Sequence, residues 1–344
     1  MRARLKDVAA RAGVATNTAS TILNRRSNSW ASKETAARVF KAAEELGYKP
    51  SRAALGLRLG SFKTVGLVIP DLHNPVYTTF ADLLEQRMRD HGYDLILEHS
   101  RNDLKYEKHC LDSIIDRQID AVTYFVSDLN THLDFLKRAA KTSTHVVALT
   151  GPSIEPFPFD AVEMDFASGI TAAVEHLLDL GHEHFAFLCA LAKGQEAGDR
   201  PNVFNQMLKE RGIPENQNSF IPCAHDLLSA RNTFGEFLDG ISGPKPTALI
   251  AMNDLTAIGA MRAASERGIR VPEDLSVIGV DNIPLGRFLP RQLSTIAQPL
   301  EELADATAEL MLYRLNNDDE EDSKPQSRKF KAKLLIKETT GRVC

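Results

Sequence analysis

The sequence predicts a small all-α head followed by a larger α/β body with parallel sheets, and three observations carry that prediction. Charge is the first: the leading sixty residues hold twelve Lys or Arg against four Asp or Glu, while the rest of this 344-residue chain of net charge −5 holds 29 against 42. The second is a set of short apolar stripes at helical spacing between residues 5 and 46. The third begins near residue 62, where short apolar runs alternate with amphipathic stretches of helix length. A basic segment on an acidic body is the electrostatic footprint of a protein that meets a polyanion, and nucleic acid is the partner it implies.

The head is read element by element. Leu5 to Gly13 (LKDVAARAG) puts Val8, Ala9 and Ala12 on one helical stripe and ends on a turn-forming glycine. A second short helix follows from Thr16 to Leu23, so the pair reads as a helix-turn-helix. A third helix is expected over Ser32 to Leu46, with Ser32 as N-cap, an apolar face of Ala36, Val39, Phe40, Ala43 and Leu46, and Gly47 as the residue that ends it. Pro50 blocks continuation. Trp30, the single tryptophan, is expected to pack on this three-helix core.

In the body, strands are expected at Thr64–Pro70, Tyr93–His99, Asp120–Val126 and His145–Thr150, and again at His184–Ala190, Thr247–Asn253 and Leu275–Asp281. Strands separated by amphipathic helices form parallel sheets through βαβ units. About 280 residues of this rhythm exceed what one compact core usually holds, which favours two lobes.

The string LKDVAARAGVATNTASTILN, followed by ETAARVFKAAEELGYKPSRAALGLRLGSFKTVGLVIPDLHNP, resembles the LacI/GalR-type (lactose-repressor-like) family of bacterial transcriptional regulators. The resemblance implies a helix-turn-helix DNA-binding domain at 1–49, a hinge helix at 50–61 and an effector-binding, dimerising body at 62–344. That body would have the two-lobed type I periplasmic-binding-protein-like fold. Its N-lobe would comprise about 62–160 and 294–327, its C-lobe about 161–293 and 328–344, with crossings near 160, 293 and 327. It also implies that the second helix lies in the major groove, where Thr16 and Asn17 read bases, Thr18, Ser20 and Asn24 contact the backbone, and Thr21 faces the bases. Leu57 matches the hinge residue that wedges into the minor groove, with Arg58 beside it; a plain linker with Leu57 buried on the body is the alternative. The chain departs from the family pattern at Ala15, where a capping Ser is common and Thr16 could take over the cap. It departs again at Thr21 and at Leu55, where Arg is frequent, and its loop from Asn24 to Ser32 is longer by two residues.

Ligands of open α/β sheets meet the carboxyl ends of the strands, which directs attention to the polar residues just after the apolar runs. Asp165, Asn253, Asp254, Asp281 and Asn282 stand there. Carboxylates and amides in a partly dry cleft suit vicinal hydroxyl groups. By resemblance, Asp165, Arg200, Asn253 and Asp281 fall on positions that bind the effector in sugar-responsive relatives, Tyr77 matches a pocket-facing aromatic, and His225 stands where relatives carry a stacking aromatic. An N-cap role is the alternative for Asp165 and Asn253. Arg200 is followed by Pro201, Asn202 and Val203 where the family carries a small Ala-Gly pair, so the pocket is expected to be reshaped.

Other chemistry is not indicated. Cys110, Cys189, Cys223 and Cys344 make no CxxC pair, and His182 and His184 are expected to be structural. No phosphate-binding glycine loop, dinucleotide fingerprint or nucleophile elbow is present, and neither a cofactor nor a metal is expected. The acidic stretch 316–327 reads as a solvated tip. No apolar leader or membrane-length run is seen, so a cytoplasmic protein is expected. The expectation is a non-enzymatic, homodimeric regulator, mainly a repressor. It would bind a pseudo-palindromic double-stranded DNA operator under control of a small, sugar-like effector in the inter-lobe cleft. A transport-type sugar-binding protein of the same two-lobed fold is the alternative; it would carry a signal peptide and no helix-turn-helix.

Overall fold

The computed structural model describes residues 3–23, 31–49, 60–126, 144–150, 159–190, 199–317 and 324–343, with isolated positions between them. The chain divides into two compact units, Met1–Lys63 and Thr64–Cys344. Asn24, Trp30, Leu55, Leu57 and Arg58 lie outside the described residues, as do much of the acidic stretch and Cys344.

The first unit is built from α1 (Leu5–Ala12), α2 (Thr16–Leu23) and α3 (Lys33–Glu45). Gly13 closes α1 at φ 64°, a left-handed conformation that costs other residues steric strain, and Val14 N donates to Ala9 O at 3.0 Å. Val8, Ala9, Ala12, Ala19, Ile22, Val39, Ala42 and Ala43 form one buried cluster. Five of the eight are alanines, so the helices approach closely. That closeness explains a departure from the expected face of α3. Phe40 and Leu46 are 43% and 37% exposed, and Ala42 is buried instead. Residues 39, 42 and 43 share a face at i, i+3 and i+4, whereas residue 40 is turned about 100° away, where its ring has room. Ser32 Oγ accepts from Thr35 N, as its capping role requires.

The second unit holds two six-stranded sheets. In chain order the strands are β1 (Thr64–Ile69), β2 (Asp94–His99), β3 (Ala121–Phe125), β4 (His145–Thr150), β5 (Asp160–Asp165) and β6 (Phe185–Ala190). They continue with β7 (Asn218–Cys223), β8 (Ala248–Ala251), β9 (Ser276–Asp281), β10 (Ser294–Ala297), β11 (Ser327–Lys331) and β12 (Lys333–Leu335). The first sheet runs β11-β5-β4-β3-β1-β2 and is parallel throughout. The second runs β12-β10-β9-β8-β6-β7, parallel except for β12. Central strands such as β1 and β9 are buried along almost their whole length, as a parallel sheet covered on both faces demands.

The chain passes between the sheets three times: after β5, after β10, and at Ala332 between β11 and β12. Each passage lies a few residues beyond the expected 160, 293 and 327. The reason is local: β5, β10 and β11 mix apolar with charged or hydroxyl residues, so their pattern does not separate them from the connections that follow. The β7 segment was equally hidden, because Pro222 interrupts it; the proline is tolerated on an edge strand.

Two polar groups fasten the second unit. The Arg314 guanidinium makes two bonds to Asp160, Nε to Oδ2 at 2.7 Å and Nη2 to Oδ1 at 2.8 Å, and Gln326 N also donates to Asp160 Oδ1. This nearly buried pair joins the helix Leu300–Asn316 to the start of β5 and the approach to β11. His182 is a satisfied core histidine: Nδ1 meets Thr247 Oγ1 at 2.9 Å and Nε2 meets Ser276 Oγ at 2.9 Å. Removing one partner of a buried ion pair strands the other charge, at a cost of about 3–5 kcal/mol. Asp160→Ala and Arg314→Met should therefore each lower unfolding stability by about that amount; chemical denaturation of both variants measures it.

Candidate functional site

In the head, α2 exposes Thr16 and Asn17 at its N-terminal end and buries Ala19 and Ile22 against the other helices. Thr18, Ser20 and Thr21 are half-buried. Ala15, not Thr16, occupies the cap position, since Ala19 N donates to Ala15 O and the helix starts at Thr16. Thr16 is thus the first helical residue, and its hydroxyl points from an end rich in unpaired backbone N–H groups. Thr21 Oγ1 donates to Asn17 O at 2.9 Å, which occupies its hydroxyl proton within the helix.

In the body, a cavity of about 170 Å³ opens at the carboxyl ends of both sheets. This is comparable with the ~150 Å³ that admits a single benzene ring. Its position follows from topology. In the first sheet the strand order reverses between β1 and β3; Asn74 and Tyr77 follow β1, and Phe125 and Val126 close β3. In the second sheet the order reverses between β6 and β8; Arg200 follows β6, and Met252 and Asn253 follow β8. A crevice forms where adjacent connections leave to opposite faces, so each lobe contributes its switch point to the same space.

Five of the six cleft residues singled out from the sequence line this cavity: Tyr77, Arg200, His225, Asn253 and Asp281. Asp165 does not. Its Oδ1 accepts from Ala167 N at 2.8 Å and from Ser168 N, capping the helix Ala167–Asp179, and the adjacent Phe166 takes its place in the lining. Asn253 both lines the cavity and caps the helix Asp254–Glu266 through Thr256 N at 2.8 Å. Among the described residues His225 lines the wall without a ring partner; the aromatic contact there is Tyr77 edge-on to Phe125 at 4.9 Å. Asn74, Asn102, Phe166 and Gln298 were missed, although Asn102 follows β2, Phe166 follows β5 and Gln298 follows β10, where the carboxyl-end rule would have found them had β5 and β10 been recognised.

Asp281 is the centre of the polar network. Its backbone has φ 107°, a conformation rarely adopted outside glycine, and Asn282 follows at φ 56°. The carboxylate is buried and accepts from Asn74 Nδ2 at 3.0 Å and from Gln298 Nε2 at 2.7 Å. Asn74 belongs to the first lobe and Asp281 to the second, so one hydrogen bond spans the cleft. Burial pushes the Asp281 carboxyl upward, opposed by Arg200 and by the two amides. Arg200 stacks its guanidinium over Phe166, 3.8 Å from the ring centre, and donates Nη1 to Met252 O at 2.9 Å. Burial and then the positive charge of Arg200 lower His225 to about 4, leaving a neutral imidazole at pH 7. Tyr77 is raised by burial and by Asp281.

Behind Asp281 lies a second buried carboxylate. Asp254 accepts from Thr295 Oγ1 at 2.6 Å and from Ile283 N at 2.8 Å, and Gly279 lets it approach, because a side-chain carbon there would collide with Asp254 Oδ1. Among the described residues no cluster of His, Cys, Asp and Glu could hold a metal ion, and no helix is long and apolar enough to cross a membrane.

Comparison with known proteins adds three findings. Residues 4–51 match the model of bacterial regulatory proteins of the lacI family, and residues 174–340 match that of a periplasmic binding protein-like domain. The chain is 30% identical over 319 residues to the HTH-type transcriptional repressor PurR of Aliivibrio fischeri, covering 93% of this chain and 94% of the relative. It is similar to the structure of a LacI family transcriptional regulator from Enterococcus faecium with bound ribose, at 27% identity and TM-score 0.68, over 82% of this chain and 100% of the other. The lac repressor dimer bound to operator and the anti-inducer ONPF shares the fold at 24% identity and TM-score 0.81, over 99% of this chain and 100% of that one.

Burial, followed by the nearby charge of Asp281, raises the Asp254 carboxyl to about 7. A carboxyl that holds its proton more tightly folded than unfolded lends stability that is complete below about pH 4 and lost as pH rises through 7. The loss for one proton is at most about 1.4 kcal/mol per pH unit. Asp254→Asn, neutral throughout, should flatten the fall in unfolding midpoint between pH 4 and pH 8. Parallel pH profiles for the two proteins would remove Asp254 as the source.

Proposed function

Because the chain belongs to the lacI family of bacterial regulatory proteins, and so is a transcriptional regulator with a DNA-binding helix-turn-helix, we propose that it represses transcription as a homodimer. It binds a pseudo-palindromic operator through α2 and is controlled by a sugar-like effector in the inter-lobe cavity. The observation that carries the effector half of this reading is the hydrogen bond from Asn74 to Asp281 across the cleft. A ligand seated there meets side chains of both lobes at once and binds unequally to their open and closed arrangements. Such a ligand shifts the population of the two, and operator binding and effector binding are then reciprocally coupled. Switching occupancy from mostly bound to mostly empty needs a differential affinity of about 10²- to 10⁴-fold. The cavity holds one ring, and a relative of the same family carries ribose.

The DNA half rests on the exposed end of α2. Thr16 and Asn17 stand clear of the core at a helix N-terminus in a basic head, with hydroxyl and amide groups suited to base edges. A homodimer fits two such helices to two half-sites about one helical turn apart. Phe288, 84% exposed beside Leu285 on a short turn of the second lobe, supplies apolar surface for pairing.

Selection of bound sequences from a random DNA pool, at two salt concentrations, tests the operator half. A pseudo-palindrome whose affinity falls steeply with salt is expected; recovery of no preferred sequence, with and without ligand, would overturn it. Replacing Asn17 with Ala should change the selected sequence as well as the affinity, whereas Thr18→Ala should weaken all sites about equally. Asp281→Ala should leave operator binding in place and abolish the response to ligand, read as the shift in operator Kd; an intact response would move the effector site elsewhere.

A further inference from the structure

The hydrogen-bonding groups around the cavity are unevenly committed. Several are engaged by the protein: both oxygens of Asp281 by Asn74 and Gln298, and the Asn253 carbonyl by Thr256 N. Two nitrogen-bearing side chains, Arg200 and His225, are less committed. Arg200 lends one N–H to a backbone carbonyl and its face to Phe166, and among the described residues it makes no ion pair. His225 Nε2 is buried with no hydrogen-bond partner among the described residues. Both side chains line the same cavity, close enough for the guanidinium to disfavour a proton on the imidazole. A half-buried guanidinium that makes no ion pair among the described residues and a buried ring nitrogen without a partner there are each costly in isolation. An anionic oxygen pair placed between them relieves both.

Resting on the reading of this cavity as the effector site, we infer that the effector is a ring-sized hydroxy acid of the sugar-acid type. Its carboxylate is held by Arg200 and His225, and its hydroxyl donates to the remaining lone pairs of Asp281. A planar, two-pronged guanidinium matches a carboxylate, and charge-assisted bonds are stronger than those to a neutral hydroxyl. The apolar wall formed by Phe125, Val126 and Leu149 accommodates the ring face on the other side. His225 becomes the residue that sets specificity, since a carbon ring in its place would keep the shape of the wall and lose the bond.

Ligand-induced shifts in melting temperature and calorimetric affinities for the full chain provide the test, using matched pairs: D-glucuronate against D-glucose, D-galacturonate against D-galactose, and D-gluconate as an open-chain acid. At least one cyclic acid is expected to bind at least about tenfold tighter than its neutral partner. Arg200→Gln should erase that preference, Arg200→Lys should restore part of it, and His225→Phe should weaken acid binding about tenfold. Operator binding by each variant, measured alongside, shows that it is folded. Equal or better binding of the neutral partners, no binding of any acid, or an acid preference that survives Arg200→Gln overturns the inference. Acid binding that leaves operator affinity unchanged would uphold the ligand chemistry while overturning the regulatory reading.

Discussion

A carboxylate placed between two lobes has to be held from both sides, and Asp281 imposes that condition on the whole body of this protein. Removed from water, it needs donors, and it takes one from Asn74 in the first lobe and one from Gln298 on the crossing between the lobes. To present both oxygens at the mouth of β9 its backbone adopts φ 107°. Strain of that kind persists only where surrounding structure over-determines it, here by β9 within a buried sheet and by Asp254 packed beneath. The cavity, the contact across it and the stacking of Arg200 on Phe166 all surround this group.

The same constraint connects fold to regulation. Two parallel sheets bring their switch points together only because the chain crosses between them, and each crossing is short. The connections after β5 and β10 each carry a cavity-lining residue, Phe166 and Gln298. Movement of one lobe against the other therefore passes through residues that line the cavity. A bound molecule that competes with Asn74 for Asp281, or bridges the two, acts on the hydrogen bond that relates the lobes.

The polar groups of this cavity differ in how far the protein has already satisfied them. Asp165, the carboxylate that the family pattern brings forward, is consumed in capping a helix. Among the described residues, the buried lining atom left without a partner is His225 Nε2. Ligand chemistry thus depends less on which polar residues occur in the cleft than on which of them the protein has already satisfied.

Much of the architecture was legible in the sequence because it rests on periodicity and local chemistry. The stripe of Val8, Ala9 and Ala12, the turn at Gly13, the cap at Ser32 and the apolar runs of β1, β3, β6, β8 and β9 are local patterns, and a helix or a buried strand declares itself through spacing alone. Asn253 and Asp281 were legible through a rule of position, that ligands meet strand ends, and Tyr77, Arg200 and His225 only through the family resemblance. Other features needed the fold. Phe40 faces outward because alanines draw α3 close to α1, a property of the partner helix. The strands β5, β7, β10 and β11 exist because neighbours pair with them, and their own residues carry too little apolar pattern to announce it. Asp165 and Asn253 obey the same local rule, yet the fold makes one only a cap and the other a cap that also lines the cavity. Local spacing decides what a segment can form; which polar atoms remain unsatisfied is a sum over partners distant in the chain, such as Asn74 and Asp281, and only the tertiary structure performs it.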